Sequence, residues 1–430
     1  MLEAGVAKVC ITPPIGAPLA GFAARHDACR GVHDDLYARA LVLRGADVAV
    51  AFVAVDLLGL AAPFVERVRN NIARKTPLAP DAVMIACTHT HAGPVTITTF
   101  FNPEQSADPG YMDSLAAAIE QSVENAWRDR FPAAVGTGSA AVTGIAVNRR
   151  SADGKPVDTE AGIVRIDDHQ GNCRAVVMNC ACHPTVLGPD NLLASGDFPA
   201  AAIARIESCR GCFALFVNGA EGDVSVGHSS ELSAIGVIAA GRTFERAAEL
   251  GNRLADRVLA ALDTIAMFNT PVIRFASAKL ELPWKHFPSG DEARADLERA
   301  RIRLNDLLPS SGDYRQAQSD LLYASITNFY AAERAGSGKT LPVELQAIRI
   351  GDAMFVAVPA EVFVELGLTM KRNTRRQLFL VGLANAYIGY LPDRSAYTAG
   401  GYEVISAKVD ETAGEQLTAG VLDIEGRLFA

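Results

Sequence analysis

Two histidines separated by one residue, His89 and His91, follow an apolar run at residues 83–87. The run is short, contains β-branched residues and stops before a Gly-Pro pair, which predicts a buried strand. Side chains two apart on a strand share a face, so we expect both imidazoles to project together from its C-terminal end. Such a pair suits a metal ion, or one ligand with an acid–base group beside it. The alternative is two histidines satisfied by hydrogen bonds in the loop.

Two further apolar runs lead into polar groups. Residues 175–182 end in His183, and residues 213–217 lead to Asp223 and Ser225. In an α/β sheet, functional groups gather at the C-terminal ends of the strands. We therefore expect these polar groups to lie near the histidine pair.

A carboxylate and an aromatic tract stand later in the chain. Glu361 follows a buried-type run and is predicted to begin a helix that continues to about residue 371. A glutamate there can serve the helix dipole, but its place after a buried strand also makes it a candidate ligand. Four tyrosines, interleaved with glycines, come after the last strong strand signal: Tyr387, Tyr390, Tyr397 and Tyr402.

The surrounding elements predict an α/β fold, a mixed β-sheet core flanked by helices. Strands at 37–43 and 48–55, a helix at 64–73 and the strand at 83–87 form a strand–helix–strand pattern. Further helices are predicted at 111–128, 242–264, 289–308 and 315–334, and further strands at 162–166, 272–282, 341–350, 353–358 and 378–383. Since the chain shows no repeat and no linker, residues 1–430 are expected to form a single large domain.

Composition excludes several classes of protein. The 430 residues are 49% hydrophobic and carry a net charge of −9, which argues against a nucleic-acid partner. No apolar run is long enough for an integral membrane segment, and the N-terminus lacks the features of a signal peptide. The eight cysteines are expected to be reduced thiols, which predicts a cytoplasmic location.

Taken in order, these motifs resemble the catalytic N-terminal domain of the neutral/alkaline non-lysosomal ceramidases, zinc-dependent amidases that cut the N-acyl bond of ceramide. Cys10 stands where an aspartate is more usual in that family. The resemblance covers nearly the whole chain and is carried by residues 5–14, 88–94, Asn148-Arg149, His183, 222–225, Glu361 and the tract from Tyr390 to Tyr402.

The resemblance implies a zinc site. Its ligands would be His89, His183, Glu361 and Tyr390, and it favours Tyr390 over Tyr387 as the tyrosine ligand. Two imidazoles, a carboxylate and a phenol oxygen leave Zn²⁺ open to a water, as a catalytic site requires. The implied reaction is attack of metal-bound hydroxide on the carbonyl carbon of the amide.

Four further residues take catalytic roles from the resemblance. His91 and Tyr402 would contact the scissile amide, stabilise the oxyanion or pass a proton to the leaving nitrogen. Arg149 would line the same cavity. Ser225 matches the serine assigned to catalysis in the family. It needs a base to act as a nucleophile, so we favour it as an orienting hydrogen-bond group.

The expected partner is a small-molecule N-acyl amide. The family's C-terminal β-sandwich domain is expected to be absent, which leaves a soluble, non-lipid N-acyl amide or a lactam as an alternative to ceramide. Two other classes compete: a metal-independent serine hydrolase using Ser225 with His228 or His91, and a catalytically silent homologue that binds a small ligand.

Overall fold

Apolar segments of the sequence form two packed β-sheets in the computed structural model, which describes residues 1–100 and 105–430. In those ranges the strands are β1 (Glu3–Cys10), β2 (Gly31–Val32), β3 (Tyr37–Arg44), β4 (Ala49–Val55), β5 (Val83–Cys87), β6 (Phe131–Ala141), β7 (Val147–Asn148), β8 (Glu160–Asp168), β9 (Cys173–Cys180), β10 (Leu193–Ala194), β11 (Phe213–Asn218), β12 (Val224–Ser225), β13 (Ile273–Pro283), β14 (Thr340–Ile350), β15 (Ala353–Ala357), β16 (Glu361–Val362), β17 (Gln377–Val381) and β18 (Tyr390–Leu391).

Helices connect and cover these strands. They are α1 (Ala62–Lys75), α2 (Pro109–Arg128), α3 (Asp197–Arg210), α4 (Ser230–Ala234), α5 (Phe244–Leu262), α6 (Gly290–Asn305), α7 (Tyr314–Ala335), α8 (Val364–Asn373), α9 (Arg394–Ala399), α10 (Tyr402–Ile405) and α11 (Ala413–Phe429), with one 3-10 turn at Pro80–Ala82. No helix in the described part of the chain combines the length and apolar character needed to cross a membrane.

The larger sheet has eight strands in the order β11-β9-β8-β6-β1-β3-β4-β5. Its parallel pairs, β4 with β5 and β9 with β11, are joined through α1 and α3, as parallel neighbours require a crossover connection. The strands at the two ends of this order, β5 and β11, contact each other. The segments that follow β5, β9 and β11 therefore meet on one side of the molecule.

The second sheet has the order β13-β14-β15-β17 and packs face to face with the first. Phe355 marks the contact, because its ring centroid lies 5.5 Å from that of Phe52 in the first sheet and 5.0 Å from that of Phe379. Helices α1, α2, α3 and α5 cover the outer face of the first sheet, and α8 and α11 cover that of the second. The predicted α/β class, with a mixed sheet core flanked by helices, is confirmed. Its extent as one domain over 1–430 stays a prediction.

The helix predicted to begin at Glu361, next to the site, is wrong. Glu361 does not begin a helix; it lies in the short strand β16, and α8 begins only at Val364. The backbone is extended there because β16 pairs in parallel with β18, with Glu361 opposite Tyr390. The Glu361 N–H donates to the carbonyl of Gly389 at 3.0 Å. This long-range pairing carries Glu361 into the same layer as the tyrosines.

Candidate metal centre

The histidine pair lies in a turn beyond the strand. Strand β5 ends at Cys87, and the N–H of His89 donates to the carbonyl of Leu57 at 2.9 Å. His89 has a left-handed backbone with φ of 68°, so the prediction that strand alternation aligns His89 with His91 is wrong. The turn nevertheless brings the two rings together, with centroids 4.9 Å apart.

Hydrogen bonds orient the rings of His89 and His183 so that Nε2 of each faces the centre of the cluster. His89 Nδ1 lies 2.8 Å from the carbonyl of Leu58, and His183 Nδ1 lies 2.7 Å from that of Glu221. Because a carbonyl oxygen only accepts, each Nδ1 carries a proton, and in the neutral imidazole the lone pair then lies on Nε2. Backbone carbonyls bound to the outer nitrogen are the usual support of a metal-binding histidine.

Both lone pairs point at the carboxylate of Glu361. Its Oε2 lies 2.9 Å from His183 Nε2 and 3.5 Å from His89 Nε2, and all three side chains are buried. A neutral imidazole nitrogen and a carboxylate oxygen are both acceptors, so this approach is favourable when a proton or a metal ion is shared between them. The donor set therefore fits a metal ion such as Zn²⁺.

His91 completes the group without being fixed in the same way. The candidate ligand atoms of His89, His91 and His183 all lie within 4.8 Å of one another. Neither ring nitrogen of His91 has a hydrogen-bond partner among the described residues. Buried polar groups are normally satisfied, so these nitrogens are available to a metal ion, a water or a substrate group.

The local electrostatics favour the forms that bind metal. Burial, reinforced by the charge of Arg149, lowers the pKa of His183 to about 4. Burial also lowers the pKa of His91 well below its usual value. Burial alone would raise the pKa of Glu361, but the adjacent His89 and His183 outweigh it and hold this pKa well below its usual range. At neutral pH the His91 and His183 imidazoles are therefore neutral, and the Glu361 carboxylate is ionised.

Two tyrosines reach the cluster in different ways. Tyr387, which the sequence analysis set aside, donates its hydroxyl to Glu361 Oε1 at 2.7 Å. Tyr390 lines the same cavity, and its hydroxyl accepts a hydrogen bond from Arg149 Nη2 at 3.1 Å. The ring of Tyr402 packs edge-on against that of Tyr390, with centroids 6.0 Å apart. All three phenols border the cavity beside the histidines.

Arg149 is held by a carboxylate that the sequence analysis missed. Its Nε donates to Glu403 Oε1 at 2.9 Å, and its Nη2 donates to the carbonyl of Gly222 at 2.9 Å. Glu403 also accepts from Arg150 at 2.8 Å and from the hydroxyl of Ser230 at 2.6 Å. The only sequence signal for Glu403 was its position directly after Tyr402.

Ser225 lies behind the site and bonds to backbone groups. Its hydroxyl donates to the carbonyl of His228 at 3.1 Å and accepts from the N–H of Gly227 at 3.3 Å. No side-chain base among residues 1–100 and 105–430 hydrogen-bonds to it. Nearby Asp223 accepts from the backbone of Val364 and the side chain of Asn148, both at 2.8 Å. These contacts fix the chain around His183.

The cavity over the cluster is small. Its described lining consists of Gly21, Phe22, Leu58, His89, His91, Arg149, Thr185, His228, Ser229, Ser230, Ser233, Ala234, Arg242, Glu361, Tyr387, Tyr390 and Tyr402. The space open to the centres of water-sized molecules is about 30 Å³, enough for about two waters. Water is thus nearly excluded from the side chains that would do the chemistry.

Buried imidazoles, a carboxylate and neutral phenols around a cavity this small are the parts of a hydrolase with a metal-binding centre. The sequence profile of the family described as neutral/alkaline non-lysosomal ceramidase, N-terminal, matches residues 2–225, more than half of the chain. The chain belongs to this family and is a hydrolase acting on amide bonds. The resemblance drawn from the motifs is thereby confirmed.

Solved structures show the same fold. The crystal structure of neutral ceramidase from Pseudomonas aeruginosa is similar with 21% sequence identity and a TM-score of 0.78, over 99% of this chain and 74% of that one. A ceramidase complexed with C2 is similar with 18% identity and a TM-score of 0.75, over 100% of this chain and 75% of that one. Curated protein sequences provided no match.

Proposed function

We propose that the protein is a Zn²⁺-dependent amidohydrolase that cleaves an N-acyl bond. The observation that carries the proposal is the convergence of His89 Nε2 and His183 Nε2 on one oxygen of Glu361, at 3.5 Å and 2.9 Å. Two imidazoles and a carboxylate are a ligand set that catalytic zinc uses. Tyr390 is proposed as the fourth ligand from the family pattern.

When bound, Zn²⁺ would polarise the amide carbonyl and lower the pKa of a coordinated water. His91 is placed to handle the proton, because its ring is neutral and both of its nitrogens are free of partners among the described residues. Burial raises the pKa of Tyr402 well above its usual value, so its phenol stays protonated and can donate to a developing oxyanion.

Arg149 and Ser225 are proposed to act differently. Arg149 holds the Tyr390 hydroxyl at 3.1 Å and keeps a positive charge beside the cavity. Ser225 is proposed as an orienting group, because among the described residues its hydroxyl hydrogen-bonds only to the backbone of Gly227 and His228. A serine nucleophile requires a base within hydrogen-bond reach.

The substrate is proposed to be an N-acyl amide. Family membership supports ceramide as one substrate, and the small cavity supports a soluble, non-lipid N-acyl amide or lactam as the alternative. A cytoplasmic location is proposed because all eight cysteines are unpaired, as is usual in a reducing compartment.

Metal analysis combined with a hydrolysis screen tests the proposal. Purified protein should contain about one Zn²⁺ per chain, as a single site implies, and should cleave ceramide or short N-acyl amides. Chelation should abolish turnover, and added Zn²⁺ should restore it. Activity that survives chelation, with covalent labelling of Ser225 by an acylating probe, would support the serine hydrolase instead. Bound zinc without turnover of any N-acyl compound would support a binding homologue.

A further inference from the structure

Two arginines near the cavity form no salt bridge within the described residues. Arg25 is 3% exposed, and its guanidinium donates to the carbonyls of Ala20, His91 and Gly188 at 2.8, 2.7 and 3.0 Å. Arg242 lines the cavity, and it donates to the carbonyl of Leu187 at 3.2 Å and to a serine hydroxyl. The Nε of each arginine is buried and has no partner in the described ranges.

The positive charge of these arginines is not neutralised locally. Within the described residues neither guanidinium forms a salt bridge, and the carboxylates that act on them from a greater distance are Asp190 and Asp197. Burial lowers the pKa of Arg25 to about 10, which still leaves it charged at neutral pH. Buried charges are normally paired because desolvation is costly. Arg242 lines the cavity and has a buried Nε without a partner among the described residues, so its charge is available to an anionic ligand.

Arg25 and Arg242 lie close to the histidine cluster. The ring centroid of Phe22 is 4.9 Å from Arg25 Cζ, 5.7 Å from Arg242 Cζ and 5.0 Å from the His91 ring centroid. The Phe22 ring thus lies near both Arg242 and the His91 ring, while Arg25 contacts the His91 backbone directly. His228 lines the same region, and burial together with the charge of Arg242 lowers its pKa to about 4. Its neutral ring can add a hydrogen bond to an anion.

We propose that the substrate is an N-acyl amino acid whose free carboxylate, next to the scissile amide, is bound by Arg242 at the cavity wall. This inference rests on the proposed amidohydrolase function and names its substrate class. A guanidinium can hold a carboxylate with two parallel hydrogen bonds, which gives both affinity and orientation. Ceramide is neutral and offers no such group, so this wall would not contribute to its recognition.

A matched substrate pair tests the assignment. N-acetylglycine and N-acetylglycinamide differ in charge at one group, so the zinc-loaded wild type should favour the acid. Arg242→Gln should lower kcat/KM for the acid by about ten- to a hundredfold, mostly through KM, while the amide changes by less than about twofold. Arg242→Lys should keep part of the preference. The control is Arg246→Gln, since Arg246 pairs with Glu249 at 2.6 Å outside the cavity, and it should change neither substrate.

Calorimetric binding of both compounds to the metal-free protein separates this inference from the proposed function. Tighter binding of the acid, lost in Arg242→Gln, supports the inference even if neither compound is hydrolysed, a result that would count against the amidohydrolase. Equal binding and equal cleavage of acid and amide by the wild type would overturn the inference and leave the amidohydrolase standing. An equal loss for both compounds in Arg242→Gln would also overturn it.

Discussion

At the scale of single residues, hydrogen bonding separates His91 from His89 and His183. The latter two are anchored by backbone carbonyls at 2.8 and 2.7 Å, which orients their Nε2 atoms before any metal binds. His91 has no such anchor in the described structure, and its ring is held by packing against Phe22. A metal ligand benefits from a fixed ring, whereas a proton carrier must keep its nitrogens available.

Tyr387 should matter for metal affinity although it is not a proposed ligand. Tyr387→Phe removes the hydroxyl that donates to Glu361 Oε1 at 2.7 Å. Loss of such a supporting contact typically weakens metal binding about 10- to 100-fold. The Zn²⁺ affinity, measured by chelator competition, should fall by that amount. Tyr397→Phe is the control, because its hydroxyl donates to the carbonyl of Val409 at 2.6 Å away from the cavity. Unchanged affinity in Tyr387→Phe would show that this contact does not position Glu361.

At the scale of elements, the site depends on a close approach between two chain segments. A Cβ added to Gly222, just before β12, would lie 2.4 Å from the carbonyl oxygen of Glu361 in β16. That distance is a clash with backbone, which cannot move aside as a flexible side chain can. The glycine therefore lets the segment after β11 lie directly against the strand that carries the carboxylate.

Gly222→Ala should accordingly weaken metal binding without removing a ligand. The expected result is a lower Zn²⁺ affinity and a lower thermal midpoint, because Glu361 must shift away from the histidines. Gly426→Ala in α11 is the matched control, since nothing lies within 4 Å of its added Cβ. It should leave metal binding unchanged and stabilise the helix by at most about 1 kcal/mol. Equal Zn²⁺ affinity in Gly222→Ala and wild type would contradict this account.

Elements with strong local signals were predictable, and those set by distant contacts were not. Strand β5 matches the predicted 83–87 because its sequence is uniformly apolar. Strand β6 was missed because Gly136 and Gly138 depress its strand signal. These glycines make room for the segment at Ile265 and Ala266, a tertiary reason that local sequence does not show. Glu361 was misassigned for the same reason, because its strand exists only through pairing with β18.

At the scale of the whole molecule, the candidate ligands come from distant parts of the chain. His183 and Glu361 are 178 residues apart, yet their side chains approach to 2.9 Å. The apolar patterns predicted the α/β class, and strand ends predicted where polar groups would gather. Which groups would meet followed from the family resemblance, because spacing alone does not specify contacts over such separations. Neither the patterns nor the resemblance predicted the role of Glu403 or the hydrogen bond from Tyr387 to Glu361.

The contact between the two sheets should contribute strongly to the free energy of unfolding. Phe355 is fully buried between Phe52 and Phe379, and Phe355→Ala is expected to lower the free energy of unfolding by about 3–5 kcal/mol. Denaturant unfolding measures the change. Ile302→Ala on α6 is the control, since Ile302 is 52% exposed and should cost little. Equal unfolding free energies for the two variants would contradict the two-sheet core.

The central claim is that His89 binds the metal whereas His91 acts as the acid–base group. Metal analyses with matched hydrolysis assays test it. Wild type should hold about one Zn²⁺ per chain and cleave an N-acyl substrate. His89→Ala should lose both the metal and turnover, whereas His91→Ala should keep the metal and lose at least about 100-fold in kcat, as removal of an acid–base group does. Full zinc content and activity in His89→Ala, or loss of zinc from His91→Ala, would contradict the account.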